Sequence, residues 1–474
     1  MACGATLRKQ LAVSLRPILC LALAILLGGC ESIAYYRQAV AGHLALLHRA
    51  KPIEAILAGE LHIDAGVDPQ AGDASASQLR TRLAMVQDIR TFAREQLQLP
   101  VGRAYSRYVA LQRDFVVWNV YAAGEFSTRP EQWCFPVAGC VGYRGYFAQD
   151  AAKSKAAALA ARGYDTHVAG VAAYSTLGWT ADPVLSTFLA RDDLSLAALL
   201  FHELSHRLVY VRGDTEFNES IASTVEAFAL QQWIAHRAAL DDDGDMQAQL
   251  QQPLQQHLQQ HLQQQLIQLQ QRRALHARFV EAVAQTRADL EALYTSPLSI
   301  AEKRLEKAQR YNALAAQIRL IYSGTGAAEA YSAWASSLNN AKLLPVALYS
   351  RWQPALDWKL QQTLQAASCT TSATMVTDTS AGKDNGDDNK RTELANDSCR
   401  RGLQDFYAAI KQLAMQPAAA RRLRLEAWEQ EALSDAPYDA NESSTARTVE
   451  ARTTAQGKLP LPDTEQNHAN IRAS

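Results

Sequence analysis

The sequence has 474 residues, of which 48% are hydrophobic and 20% are charged. A chain of this length and composition can bury a large core, so we expect one or two globular domains. The formal net charge of −1 excludes the strongly basic surface that binds nucleic acid through counterion release, so we expect no nucleic-acid partner.

The first thirty residues have the pattern of an export signal. Basic residues precede an apolar stretch from residue 17 to residue 27, which is too short to span a bilayer. The segment Leu27-Gly28-Gly29-Cys30 resembles the bacterial lipobox. This resemblance implies removal of residues 1–29 and a membrane anchor through lipid on Cys30. Glu31 in the next position, where an aspartate favours inner-membrane retention, implies the outer membrane facing the periplasm. An ordinary secretory signal with a chance cysteine is the alternative.

Four of the seven cysteines remain outside the signal and the lipidation site. Cys134 and Cys140 flank turn-forming residues, while Cys369 and Cys399 flank a polar insert. In an oxidising compartment each pair could form a local disulfide, although the sequence alone proves neither pairing. The spacing of the first pair does not match a zinc ribbon, so we expect no metal at these cysteines.

The elements of the first half alternate between helical and extended patterns. Apolar residues at helical spacing predict helices at 34–58 and 78–98, and alanine-rich sequence predicts another at 151–162. Aromatic and β-branched residues predict strands at 116–121, 141–147 and 166–174. We therefore expect helical packing around a small sheet.

The second half is helical, with polar interruptions. Residues 247–271 are rich in glutamine and carry leucine at every fourth position, which predicts a striped helix that extends a helical hairpin together with residues 272–320. Its histidines, His257 and His261, are more typical of a solvated face than of a second metal site, because no acidic residue lies nearby. A further helix is expected at 403–432, whereas the polar segments 370–398 and 433–474 are not expected to fold.

The segment His202-Glu203-Leu204-Ser205-His206 is an HExxH motif in a predicted helix of mostly apolar residues. Residues four apart on a helix lie about 40° apart and about 6 Å along its axis, so both imidazoles can bind one ion. The Glu203 carboxylate can take a proton from an attacking water and pass it to a leaving amine. Burying two histidines and a glutamate among apolar residues is costly without such a partner.

A catalytic zinc ion has three protein ligands and one open position, so a third ligand should follow the motif. The segment from Asn218-Glu219 to Glu226 resembles the NEGFASYVE helix of the gluzincin aminopeptidases. This resemblance implies that Glu219 is the third ligand and that Glu226 is not. Twelve residues separate His206 from Glu219, fewer than in those enzymes, so Glu226 remains an alternative ligand. Acids at positions 214 and 216 could orient a histidine.

A wider stretch, from Trp133 through Glu219, resembles a bacterial family of predicted aminopeptidases that are mostly lipoproteins. The hallmarks are Trp133-Cys134-Phe135-Pro136, Gly163-Tyr164-Asp165, the segment Ala173 to Trp179, Asp182-Pro183, the HExxH motif and Phe217-Asn218-Glu219. The resemblance implies one metallopeptidase domain over residues 30–432, one Zn²⁺ ion and a peptide or protein substrate. We expect an α+β fold, predominantly α-helical, with a small mixed β-sheet preceding a gluzincin-like HExxH helix pair.

Further site residues follow from the same resemblance. Gluzincin aminopeptidases have an edge strand just before the catalytic helix, which makes Tyr174 and Ser175 candidate substrate-binding residues, although ordinary strand packing is an equal alternative. Related peptidases stabilise the oxyanion with a distant tyrosine or histidine, for which Tyr349 is the first candidate and Tyr311 the second. The sequence has no Gly-x-Met-Glu-Asn segment to hold a substrate amino terminus. A metalloendopeptidase or a non-catalytic zinc-stabilised scaffold is therefore an alternative.

Overall fold

The computed structural model describes most of the chain between residues 33 and 435. The described residues are 33–61, 72–135, 139–173, 176, 180–240, 248–347, 351–369 and 387–435. Helices account for most of them and the strands form small sheets, so the fold is α+β and predominantly helical, as expected. No helix within these ranges has both the length and the hydropathy that a membrane span requires.

The helices and strands are numbered here in chain order. The helices are α1 (33–49), α2 (Ile53–Leu57), α3 (Gly72–Glu95), α4 (Gln149–Ala160), α5 (Ser186–Leu189), α6 (Asp193–Ser205), α7 (Thr215–Leu240), α8 (Ala248–Thr295), α9 (Ile300–Ile321), α10 (Ala328–Ala335), α11 (Asn340–Ala347), α12 (Gln353–Ala366), α13 (Asp387–Ala414) and α14 (Ala418–Asp435). The strands are β1 (Lys51–Pro52), β2 (Arg107–Val109), β3 (Val117–Gly124), β4 (Trp133–Phe135), β5 (Gly139–Val141), β6 (Arg144–Tyr146), β7 (Tyr164–Val171) and β8 (Val184–Leu185).

Two of the expected helices are divided at prolines. The helix expected at 34–58 stops at residue 49, because Pro52 has no amide hydrogen and disfavours helical backbone in the residue before it. The chain there forms the short strand β1, and α2 follows. The helix expected at 403–432 is likewise divided at Pro417, which lies between α13 and α14. Helix α13 itself begins at Asp387, within the polar insert.

The main sheet has the strand order β6-β3-β7 and is antiparallel throughout. Trp118 in the central strand lies opposite Tyr146 on one side and Gly170 on the other. Helix α4 packs on this sheet, and its Ala152 and Leu159 share a buried cluster with Trp118. A second sheet, β1-β2-β8, combines one antiparallel and one parallel pair. The expected strands at 116–121 and 166–174 thus correspond to β3 and β7.

Helix α6 lies in the centre of the largest core. Every residue from Leu194 to Ser205 is buried, as is typical of a helix that other elements surround on all sides. The helix starts at a side-chain cap, in which Asp192 accepts a hydrogen bond from the Ser195 amide at 2.9 Å. Helix α7 packs against α6, and α12 packs against α7. The HExxH motif is therefore in the interior, facing α7.

Helices α8 and α9 form a hairpin, as expected for residues 247–320. A half-buried polar cluster, here called the hairpin joint, connects it to the main sheet and α11. The joint comprises Asp165, Tyr294, Lys307, Tyr311 and Asn340. Asn340 Oδ1 accepts hydrogen bonds from the hydroxyls of Tyr294 at 2.7 Å and Tyr311 at 2.6 Å, and Lys307 Nζ donates to Asp165 Oδ2 at 2.9 Å. The histidines at positions 257 and 261 have side chains outside the described part of α8.

Two disulfides lie within the described residues, and they are the two pairs considered from the sequence. Cys134–Cys140 connects β4 to β5 at a position where the two residues face each other in the ladder. Cys369–Cys399 connects the residue just beyond α12 to α13. The second bridge closes the polar insert at its base.

Candidate metal centre

His202, His206 and Glu219 lie together where α6 packs against α7. His202 Nε2 is 3.2 Å from Glu219 Oε2, and His206 Nε2 is 3.7 Å from Glu219 Oε1. The three residues are 4–7% exposed, and their ligand atoms all lie within 4.8 Å of one another. The structure thus brings together the two imidazoles and the carboxylate that the sequence analysis selected.

The donor set fits one zinc ion. Ligand atoms at about 2.0–2.2 Å from a tetrahedral ion lie roughly 3.4 Å apart, close to the separations found here. His206 Nδ1 is buried and has no hydrogen-bond partner among the described residues. Burial, together with the charge of the neighbouring His202, lowers the pKa of His206 to about 3. The His206 ring is therefore neutral, which is the form that binds a metal.

A second carboxylate, that of Glu226, orients His202 through the ring nitrogen that points away from Glu219. His202 Nδ1 is 3.1 Å from Glu226 Oε2, and Glu226 Oε1 accepts a hydrogen bond from Arg273 of α8 at 3.2 Å. Burial lowers the pKa of His202, but hydrogen bonds to Glu219 and Glu226 outweigh burial and raise it to about 10. With Nδ1–H held by Glu226, Nε2 is the nitrogen that faces the centre, as in carboxylate–histidine–metal arrangements.

The acids that the sequence analysis named for this orienting role lie elsewhere. Asp214 Oδ2 accepts a hydrogen bond from Arg421 Nη2 at 2.6 Å, and its Oδ1 accepts one from the Phe217 amide at 3.2 Å. Glu216 lies near Arg287 of α8: burial lowers the pKa of that arginine, and the charge of Glu216 partly offsets the decrease. Glu226, the alternative ligand, is instead the residue that holds His202.

The turn between the two helices explains how so short a connection closes the centre. Asn218 Oδ1 accepts a hydrogen bond from the Val211 amide, and Asn218 Nδ2 donates to the Val211 carbonyl, both at 2.8 Å. Gly213 adopts a φ of +79°, a conformation that residues with a Cβ rarely take. The asparagine of the NE pair therefore fixes the turn while its neighbour Glu219 faces the histidines.

Glu203 is buried beside these ligands and is only 2% exposed. Burial is the main cause that raises the pKa of Glu203 to about 7; the charge of His202 lowers it and that of Glu219 raises it. A carboxyl group with a pKa near neutral can both accept and return a proton. The centre thus combines a metal-binding set with an acid–base group.

Residues 34–425 match the family model Aminopep, whose description is "Putative aminopeptidase". The chain belongs to this family. The match includes the metal centre, the main sheet and the hairpin joint. No curated protein and no solved structure matches the chain significantly. Membership in the aminopeptidase family supports a peptidase as the class of activity.

The aminopeptidase-family resemblance also suggested residues beyond the metal ligands. Tyr349, Tyr174 and Ser175 lie outside the described residues, so their roles remain predictions. Tyr311 is described, and its hydroxyl donates to Asn340 in the hairpin joint rather than facing the centre. The second candidate for oxyanion stabilisation is thus a structural residue.

Other tyrosines, which the sequence analysis missed, lie close enough to Glu219 for its charge to act on them. Burial raises the pKa values of Tyr143 and Tyr210, and the Glu219 carboxylate raises both further. The charge of Glu219 also raises the pKa of the fully buried Tyr121. Tyr210 follows the HExxH motif by four residues, so its position in the turn is a signal that sequence reasoning could have used. Tyr121 lies in β3 and Tyr143 lies in the loop before β6, and only the fold brings these two residues near Glu219.

Asp182, a hallmark residue of the family resemblance, connects this centre to the segment before the catalytic helix. Its carboxylate accepts hydrogen bonds from the Thr176 hydroxyl at 2.6 Å and the Thr176 amide at 3.0 Å. Thr180 Oγ1 is 3.3 Å from Asp182 Oδ1 and also 3.3 Å from Nε2 of His43 in α1. Asp182 is 2% exposed, and its charge raises the pKa of Glu203. One buried carboxylate therefore holds Thr176 and also acts on the pKa of Glu203.

Proposed function

We propose that this protein is a zinc-dependent aminopeptidase, held by lipid on Cys30 at the outer membrane and facing the periplasm. The observation that carries the catalytic part is the convergence of His202, His206 and Glu219 in a buried centre, with Glu203 beside them. Membership in the aminopeptidase family supports peptide substrates. The lipobox-like sequence supports the anchor.

The chain's own residues supply the acid–base chemistry. A zinc ion bound by His202, His206 and Glu219 would polarise a scissile carbonyl and lower the pKa of a water molecule. Glu203 takes the proton from the attacking water and returns it to the leaving amine, a role for which a pKa of about 7 is suited. Glu226 keeps the His202 ring oriented through both halves of the cycle.

A hydroxyl group can stabilise the charge that develops on the carbonyl oxygen. Tyrosine hydroxyls are protonated at neutral pH, and burial raises the pKa values of Tyr143 and Tyr210 further, so either is a candidate hydrogen-bond donor. Tyr349 remains the candidate drawn from the family resemblance, and Tyr174 and Ser175 remain candidates for binding the substrate backbone. Replacing each tyrosine by phenylalanine would identify which one lowers kcat without loss of zinc.

The catalytic proposal is tested by zinc analysis of the purified protein beside a peptide digest, repeated for Glu219→Ala. We expect one zinc ion per chain in the wild type and loss of both zinc and cleavage in the variant. The matched control is Glu216→Ala, which removes an acid one turn earlier on α7 that does not contact the histidines. Full cleavage by a zinc-free Glu219→Ala protein would refute the proposal.

A peptide panel separates the aminopeptidase from an endopeptidase that trims envelope proteins. The sequence has no Gly-x-Met-Glu-Asn segment, which favours the endopeptidase. Peptides with a free amino terminus should be cleaved at the first bond, and the same peptides with a blocked terminus should resist. Equal cleavage of both sets would favour the endopeptidase, and tight zinc binding without any cleavage would favour a scaffold.

The anchor has a separate test. Mass spectrometry of the amino-terminal peptide should show Cys30 as the first residue carrying acyl groups, and the protein should fractionate with outer-membrane vesicles. An unmodified terminus at another residue would contradict the anchor without affecting the catalytic proposal.

A further inference from the structure

Helix α1 presents an unusual apolar face to solvent. Ile33, Tyr36, Val40 and Leu44 are 69%, 41%, 56% and 56% exposed, respectively. At 3.6 residues per turn, their positions fall within an arc of about 80°, so they form one stripe roughly 16 Å long. Single exposed hydrophobic residues are normal on protein surfaces, but a continuous row on one helix face marks an interaction surface.

The opposite face of α1 is fixed to the body, so the stripe cannot turn inward. The Tyr35 ring packs on Tyr146, and the guanidinium of Arg144 lies 4.1 Å from its centroid. Gln38 Oε1 accepts a hydrogen bond from the Phe147 amide at 3.1 Å. Any side chain at Gly42 would collide with the Phe147 ring, which a Cβ would approach to 2.3 Å. The helix therefore has a defined outward side.

Charge and position indicate what covers this side. The sequence from residue 33 to residue 50 contains no acidic residue, while Arg37 and His48 are exposed beside the stripe. Apolar residues with a tyrosine, flanked by basic groups, are typical of helices that lie in the headgroup region of anionic membranes. The stripe also begins three residues after Cys30, where a lipid anchor would hold it against a bilayer.

We propose that the α1 stripe lies in the interface of a phospholipid membrane and, together with the acyl group on Cys30, fixes the orientation of the protein on that surface. The part played by Cys30 rests on the proposed anchoring, but the affinity of the stripe for lipid does not. Lipid on Cys30 attaches the chain to the bilayer at one residue only, so a second contact through the stripe would define how the protein is oriented. His43, half-buried beside the stripe, lies 3.3 Å from Thr180 Oγ1, which also contacts Asp182, so membrane docking would also set how the centre faces the bilayer.

Sedimentation with vesicles tests this proposal. The chain from residue 31 onward lacks the acyl group but retains every contact of α1 described above, because the described body begins at residue 33. It should bind vesicles of phosphatidylethanolamine and phosphatidylglycerol. Val40→Asp combined with Leu44→Asp should weaken binding by about tenfold or more. Val40→Ala with Leu44→Ala, which preserves helix propensity, should weaken it less but measurably.

The matched control places the same charges on other exposed apolar positions. Leu320 and Leu423 are 72% and 67% exposed on α9 and α14, and their double change to aspartate should leave vesicle binding at the wild-type level. Circular dichroism and zinc content confirm that each variant is folded. Equal binding by stripe and control variants would overturn the proposal. The proposal would also be overturned if the wild type did not bind vesicles but formed a dimer, and if the stripe variants were monomeric in sedimentation velocity. The stripe would then bind a second copy of the chain.

Discussion

The metal centre is a buried polar cluster and the hairpin joint is a half-buried one, and they differ in how completely their groups are paired. In the joint, Asn340 accepts two hydrogen bonds on Oδ1, and its Nδ2 donates two to the carbonyls of Gly124 and Glu125. This uses the full capacity of an amide side chain. In the centre, His206 Nδ1 has no partner among the described residues, and Glu203 has a raised pKa.

The difference in charge is equally informative. The joint pairs one lysine with one aspartate, and the rings of Tyr294 and Tyr311 surround the ammonium group at about 6 Å. The centre gathers three buried carboxyl groups, on residues 203, 219 and 226, around two histidines and Arg273. Buried charge is costly unless it is balanced. A polar cluster whose groups pair with one another stabilises the fold, whereas one that gathers more potential ligand groups than it pairs is suited to a cation.

The largest expected effect is on catalysis. Glu203→Gln preserves the shape of the side chain but removes the group that transfers the proton, so kcat should fall about 10³-fold. Zinc content and the thermal midpoint should remain at wild-type values, because Glu203 is not a metal ligand in the proposed centre. Single-turnover rates on a free-amine peptide measure the change. A variant that retains more than a tenth of wild-type activity would remove Glu203 from the mechanism.

The next effect falls on stability. Asn340→Ala removes the acceptor of two tyrosine hydroxyls and one of the two donors that bind each of the Gly124 and Glu125 carbonyls. The loss of these four hydrogen bonds should decrease the free energy of unfolding by about 2–4 kcal/mol. Zinc affinity and kcat of the folded protein should be unchanged, because the joint does not contact the ligands. Urea unfolding with saturating zinc measures the decrease. If Asn340→Ala lowered zinc affinity without lowering stability, the joint would serve the metal centre and not the stability of the fold.

A smaller effect, on zinc affinity, is expected when the residue that orients a metal ligand is replaced. Glu226→Ala removes the carboxylate that orients His202, so zinc affinity should fall about 10–100-fold while the metal can still bind. Competition with a chelator measures the affinity, and Glu216→Ala on the same helix serves as the control. If Glu226→Ala abolished zinc binding completely while Glu219→Ala did not, Glu226 would be the third ligand.

The smallest effect is expected at the solvent-exposed rim of the joint. Arg304 binds both carboxylate oxygens of Glu125, but its side chain is 61% exposed. Water and salt screen such a pair, so Arg304→Ala should change the free energy of unfolding by less than about 1 kcal/mol. The same urea titration as for Asn340→Ala provides the value. An effect as large as that of Asn340→Ala would mean that the interior of the joint is not what stabilises it.

The sequence predicted the centre because its signals are local. The spacing of His202 and His206 on one apolar helix, and the resemblance of the next helix, were enough to select Glu219. The partner of His202 was predicted incorrectly, since Glu226 reaches that ring only through the packing of α6 on α7, with Arg273 arriving from α8. Positions 214 and 216 looked closer along the chain but lie away from the ring.

The joint could not be predicted at all, because its members are spread from Asp165 to Asn340 and share no motif. Tyr311 was assigned to oxyanion stabilisation because related enzymes use a distant tyrosine, whereas the fold uses its hydroxyl for the joint. The break at Pro52 was a local signal that helical periodicity on both sides concealed. Long-range contacts and competing local signals therefore account for what the sequence did not reveal.

The bridge between Cys369 and Cys399 has a practical consequence for handling the protein. A protease that cuts the backbone anywhere between these cysteines leaves two pieces that still migrate together on a gel until a thiol is added. The carboxy-terminal piece carries Arg421, whose guanidinium binds Asp214 at the start of α7. A nicked preparation thus stays one covalently linked molecule, and the cut is detected only when the sample is reduced.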